Sequence, residues 1–237
     1  MPNNYGPRIV TDGLVLCLDA GNTKSYTGSG TTWTDISRNG RNGTLTNGPT
    51  YSSANGGSIL FDGTNDYVSC GNGSTLNNMS IQIWTKPLSN TGNFKAFAGA
   101  VGGDNTDYTT GFNVDMQLSS TAAFTNCSIE GGFLRVNNGT NFLTTSVPFG
   151  NWVNICFTIS PSFIQFYLYG SAQYGTNRLN NGSSTIGMNS LVVGARPGSL
   201  PSTSVNANIA SCSIYNRALS ASEVLQNYNA TKGRFRL

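Results

Sequence analysis

The chain has 237 residues, enough for an all-β domain with a sizeable core, and 10% of them are charged against roughly 25% in an ordinary soluble domain. Thirteen basic and ten acidic residues leave a net charge of +3 with no basic run or stripe, which argues against a nucleic-acid partner. Histidine is absent, so Ser-His and Cys-His catalysis and the His-built zinc sites are excluded within the chain.

Gly, Ser, Thr and Asn supply the polarity that charge does not. β-Branched and aromatic residues alternate with turn formers, and the good helix formers Glu, Lys and Ala are sparsely used, so the composition reads as all-β. The start, MPNNYGPRIV, lacks a basic region followed by an apolar core, and no classical secretory signal is expected. No stretch approaches about 18 apolar residues, which argues against membrane insertion.

In chain order, GLVLCLD (13–19) is the first strand-like segment. A Gly/Ser/Thr/Asn-rich region follows to Gly57, with Trp33 and Ile36 as its apolar anchors. GSILFD (57–62) and DYVSC (66–70) flank a reversal at Gly63–Asn65. SIQIWTK (80–86) alternates Ile81, Ile83 and Thr85 against Gln82, Trp84 and Lys86, the two faces of one strand. NFKAFAG (93–99) and TGFNVDMQL (110–118) flank a polar loop. GGFLRVNN (131–138), NWVNICFTIS (151–160), SFIQFYLYG (162–170), STIGMNSLVVGA (184–195) and NANIASCSIY (206–215) complete the expected strands. Seven Asn-Gly pairs mark turns.

One helix is expected after Leu219. Ser220 and Glu223 have capping-box spacing, Leu219 and Val224 occupy the staple positions, and Val224, Leu225 and Tyr228 give an apolar stripe. The tail KGRFRL reads as a solvated basic end. Cys17, Cys70, Cys127, Cys156 and Cys212 form no CxxC. Several sit inside apolar strands, which favours buried unpaired thiols and leaves a cross-strand disulfide open. No linker divides the chain, and residues 1–237 read as one domain.

GLVLCLDAGNTKSY, TTWTDISRNGRNGTLTNGPTY and SILFDGTNDYV resemble the concanavalin A-like, laminin-G-type jelly-roll domains. The likeness is closest to versions in phage and viral tail, fibre and other virion proteins. SIQIWTKPL, GNWVNICFTIS with FYLYG, and ASCSIYNRALSASEVLQNYNA extend it over about residues 12 to 234. The resemblance implies a jelly-roll β-sandwich of two antiparallel sheets with one short C-terminal helix. It also implies a place in a virion, with glycans or other virion subunits as partners and, by the symmetry of particles, a homo-oligomer. Members of this group bind carbohydrate, often with calcium, act as enzymes, or serve as structural modules. Two departures stand out: Val153 replaces a frequent His after Trp152, and NANIASCSIY lacks the usual Gly and acidic residue.

Three sets of residues are candidates for function. In FDGTNDYV, Asp62 and Asp66 suit a tight turn in which carboxylates accept backbone N–H groups. They are also candidate calcium ligands, although calcium takes about six to eight oxygens, more than this stretch holds. In GGDNTDY, Asp104, Asn105, Asp107 and Tyr108 concentrate planar polar groups beside an aromatic ring, a combination that suits sugars, and Asp115 is expected on the same surface. Tyr167 and Tyr169 are open to either a sugar-binding face or packing. A glycosidase would need two carboxylates. The chain has only two Glu, Glu130 and Glu223, of which Glu223 is assigned to a helix cap, and the acidic E-x-D-x-E strand of jelly-roll glucanases is missing. The expected function is therefore non-enzymatic glycan recognition, with a purely structural virion protein as the alternative.

Overall fold

The computed structural model describes residues 8–89, 92, 94–102, 111–117, 126–132, 144–177 and 185–237. Its strands, in chain order, are β1 (Leu14–Asp19), β2 (Thr32–Trp33), β3 (Gly43–Thr46), β4 (Thr50–Ser52), β5 (Ser58–Asp62), β6 (Tyr67–Ser69), β7 (Gly73–Leu76), β8 (Met79–Ser89) and β9 (Lys95–Val101). They continue as β10 (Phe112–Gln117), β11 (Asn126–Gly132), β12 (Thr144–Pro148), β13 (Val153–Ile159), β14 (Phe163–Leu168), β15 (Ser171–Asn177), β16 (Ile186–Val193) and β17 (Asn206–Tyr215). One helix, α1 (Ala221–Thr231), and a 3₁₀ turn (Lys232–Phe235) close the chain. Among the described residues no helix is long and apolar enough to cross a membrane.

The strands form two antiparallel sheets, the expected sandwich. Eight strands run in the order β15-β14-β13-β8-β17-β5-β4, with β1 also pairing with β17. Nine run β12-β11-β10-β9-β16-β6-β3-β2, with β7 on β16. Between them lies one hydrophobic core, to which β8 gives Ile81 and Ile83, β14 gives Ile164 and Phe166, and β10 gives Phe112, Val114 and Met116. The period-two alternation of each strand decides which residues enter it.

The Gly-rich region before Gly57, to which no strand was assigned from sequence, contains three short strands. Their organiser is Asp35. Its carboxylate accepts from the backbone N–H groups of Cys17 (2.9 Å), Ser37 (2.8 Å) and Arg41 (3.1 Å) and from the Ser37 hydroxyl (2.8 Å). A buried carboxylate is tolerated because its lone pairs are filled in this way, and the knot seats Trp33 in the core. Of the strand expected at 131–138, residues 131 and 132 end β11, where Ile129 lies opposite Met116 of β10, and residues 133–138 fall outside those described.

Helix α1 starts as expected. Ser220 and Glu223 form a reciprocal capping box, and Leu219 and Val224 are buried in one cluster with Tyr215. The basic tail departs from expectation. Arg234 pairs with Asp19 at 2.6 Å, and Phe235 is buried against Trp84 and Trp152, with ring centroids 4.1 and 4.6 Å apart. Aromatic contact area outweighs the pull of the flanking charges into water. Cys17, Cys70, Cys156 and Cys212 are buried and unpaired.

Candidate functional site

The outer face of the eight-stranded sheet is occupied by the end of the chain. Tyr228 stacks over Trp84 at 5.8 Å beside Phe235. Asn227 accepts from Val10 N–H (2.7 Å) and donates to the Tyr215 hydroxyl (3.0 Å), which in turn donates to Val10 O (3.0 Å). Tyr167 is buried in the Leu219–Val224 cluster, and the Tyr169 hydroxyl donates to Trp152 O at 3.1 Å. Both tyrosines are therefore packing residues under the chain end rather than part of a sugar-binding face.

The outer face of the nine-stranded sheet carries charge. Because Phe112, Val114 and Met116 face the core, alternation turns Asn113 and Asp115 outward. Each is 5% exposed. Asp115 lies opposite Ala96 on one side and, by register, opposite Glu130 on the other. The Arg196 side chain is 11% exposed, and its guanidinium reaches to 3.7 Å from the Asp115 carboxylate, an ion-pair contact longer than a hydrogen bond. The same guanidinium sits 4.8 Å over the ring of Phe94. Phe94, at the entry to β9, has φ +63, a left-handed conformation that bulky residues rarely adopt.

Arg196 is positioned by the segment that follows it. Its N–H donates to the Thr203 hydroxyl (3.1 Å), Thr203 O accepts from Ala96 N–H (3.1 Å), and Ser202 O accepts from the Lys95 ammonium (2.8 Å). Burial lowers the pKa of that lysine. Segment 203–206 then runs to Asn206, against which Gly63 packs so closely that a Cβ there would stand 2.8 Å from the Asn206 side chain. The Asp115–Arg196 pair and the FDGTNDYV turn therefore lie at the two ends of one short strap.

Within FDGTNDYV the carboxylates hold the turn. Asp66 accepts from the N–H of Asp62 at 3.0 Å, and Asp62 accepts from the N–H of Thr64 at 2.7 Å. Gly63, at φ +81, supplies the reversal. Asp66 is buried, and desolvation raises its pKa, with the Asp62 N–H bond working against that and the Asp62 charge adding to it. One oxygen of each carboxylate is committed to backbone. Among the described residues no three His, Cys, Asp or Glu side chains gather as a metal group. The pair fits a turn and does not by itself make the oxygen cage that calcium requires.

Asp104, Asn105, Asp107 and Tyr108 lie outside the described residues. The segment carrying them joins β10 at Phe112, about 10 Å along the strand from Asp115 at the usual rise per residue. Sequence reasoning missed Arg196 and Phe94. An Arg before Pro at a strand end, as in VVGARPGS, is an ordinary sequence, and only the strap brings it over the sheet.

The profile described as the concanavalin A-like lectin/glucanases superfamily matches residues 62–225, well over half of the chain, and the chain belongs to that family. The sandwich is accordingly a concanavalin A-like jelly roll. No curated protein matches the sequence. Among solved structures, domain 4 of a GH43 extracellular arabinanase from Geobacillus stearothermophilus, in complex with arabinotriose, matches 91% of this chain and 98% of its own. The TM-score is 0.63 and the identity 16%. The binding domain of Paraclostridial Mosquitocidal Protein 1 matches at TM-score 0.65 and 16% identity, over 93% of this chain and 52% of its own. Trypanosoma rangeli sialidase in complex with 2,3-difluorosialic acid matches at 0.65 and 13%, over 93% of this chain and 33% of that enzyme. At these identities the likeness establishes the fold.

Proposed function

We propose that the chain is a non-enzymatic glycan-recognition module carried on a virion, the virion setting resting on the motif likeness of its opening and closing segments. The observation that carries glycan recognition is the asymmetry of the two sheets. One outer face is closed by α1 and Phe235, while the other holds the Asp115–Arg196–Phe94 cluster beside exposed Ser199, Leu200 and Ser202. A guanidinium presents a planar fork of donors to hydroxyls, and an aromatic ring offers a face to the C–H side of a sugar. Asp104, Asn105, Asp107 and Tyr108 are assigned to the same ligand. The arabinotriose complex of the structural neighbour supports a sugar as the occupant.

A purely structural role has an observation of its own: Asn113 and Asp115 are nearly covered within the chain. The two roles separate on a glycan array probed with the folded protein, with and without EDTA. Reproducible binding in both buffers is expected. A blank array from folded protein would transfer the assignment to a structural virion component, and binding lost in EDTA would make recognition calcium-dependent. A glycosidase needs two carboxylates, and Asp115 stands opposite Glu130 in the register of β10 and β11. Release of reducing ends from a bound glycan would overturn the non-enzymatic assignment.

A further inference from the structure

We propose that Asn55 is a site of spontaneous deamidation, singled out by the fold from the other Asn-Gly pairs. Five of the seven pairs lie in described residues, and in four the fold holds the Asn side chain. Asn39 donates to Leu14 O (3.1 Å) and Ser37 Oγ (3.0 Å). Asn42 accepts from Asp35 N–H (3.0 Å), Asn47 donates to Asn65 O (2.9 Å), and Asn72 accepts from Ser190 N–H (2.9 Å). Asn55 has no hydrogen bond through its side chain. It sits with Gly56 at the tip of the β4–β5 hairpin, both at positive φ (+52 and +75), and a bond from Gly57 N–H to Ala54 O closes the turn. This is the type I′ geometry that Asn-Gly favours.

The reaction uses only the chain and water. The backbone nitrogen of Gly56 attacks Cγ of Asn55, the new C–N bond closes a succinimide ring, and the side-chain nitrogen leaves as ammonia with the displaced proton. Water then opens the ring at either carbonyl to give aspartate or isoaspartate. Attack requires the turn to open and the side chain to rotate. A hydrogen-bonded side chain must first lose its partner, whereas Asn55 loses none. Gly56 also lacks a side chain to shield the nucleophile, and β4 is a three-residue strand at the end of its sheet, where local opening is easiest. The change lands where it matters structurally, because Arg234 donates to Gly57 O at 3.0 Å on this turn.

The test is to incubate the native protein at mildly alkaline pH, with a parallel sample in urea, and to follow amide-to-acid conversion at each Asn by fragmentation mass spectrometry. In the native protein Asn55 converts ahead of Asn39, Asn42, Asn47 and Asn72 by about fivefold, the factor that one net hydrogen bond supplies. In urea that lead disappears. Asn55→Gly, which keeps the positive φ of the turn, must lose the signal. Equal native rates at the five sites, or a lead that persists in urea, would overturn the assignment.

Discussion

The indole N–H of Trp84 donates to the hydroxyl of Thr231 at 2.7 Å, a bond between residues 147 apart in sequence. It ties the outer face of the central strand β8 to the last turn of α1, directly beside Phe235. The end of the chain is thus part of the sandwich. Phe235→Ala is expected to cost about 3 kcal/mol, the usual loss for a buried phenylalanine, read as a lower urea midpoint with an altered Trp emission. A change within the scatter of surface substitutions would mean that Phe235 contributes nothing there.

The start of α1 should titrate. Hydrogen bonds from Arg217, at 2.6 and 2.9 Å, pull the Glu223 carboxyl down to about 2 from its usual 4.5, burial opposes them, and the bonds from Ser220 assist. Because the folded pKa is depressed, the stabilisation is complete above about pH 4.5 and is lost as the pH falls toward 2. Glu223→Gln should therefore be less stable than the parent by about 1 kcal/mol at neutral pH, as expected for a partly exposed capped pair. That gap should narrow in acid. A gap independent of pH would show that the ionised pair with Arg217 contributes nothing.

Burial raises the thiol pKa of Cys17 to about 11 and of Cys70 to about 12, and pushes Cys156 and Cys212 upward as well. Since the thiolate is the reactive form, none of the four should react with a disulfide reagent in the folded protein near pH 8, and all four should react in guanidinium. Labelling of any of them under native conditions, mapped by mass spectrometry, would reveal a local opening of its strand.

Sequence exposed what depends on local chemistry. FDGTNDYV announced its turn because Asp and Gly act on their own neighbours, and Ser220 with Glu223 announced the helix for the same reason. Residues whose partners are distant stayed hidden. Asp35 looked like one more polar residue in a Gly-rich stretch, yet it reaches Cys17 on β1. Arg217 lies near Glu223 in sequence but becomes its bidentate partner only through the bend after β17. Phe235 sat among charges that pointed it toward water, and Arg196 acquired a role only through the strap that lays it across the sheet to Asp115. The two faces of β8 were legible from alternation, with Ile81 and Ile83 on the side that enters the core. Which outer face the chain end would cover was not.

The FDGTNDYV turn is where calcium can be tested. Asp66→Ala removes the acceptor of the Asp62 N–H and should cost about 1–2 kcal/mol, while EDTA should leave the melting temperature of the unaltered protein unchanged. A lower melting temperature in EDTA would mean that oxygens from elsewhere complete a metal site around this turn.

Glycan binding should depend on Arg196 more than on Asp115. In the proposed site Arg196 donates to the ligand, so Arg196→Ala is expected to weaken binding about tenfold or more, the worth of a charged hydrogen bond. Asp115→Asn removes the charge 3.7 Å from the guanidinium and keeps the Phe94 ring beneath it, so a smaller loss is expected. Asp104→Ala and Tyr108→Ala test the segment between β9 and β10 independently. Loss of binding in these two with Arg196→Ala silent would move the site off the strap and onto that segment. Loss in all three, with melting temperatures unchanged, would place one ligand across both. A glycan that binds every variant as it binds the parent would leave the cluster a structural brace between β10 and the strap.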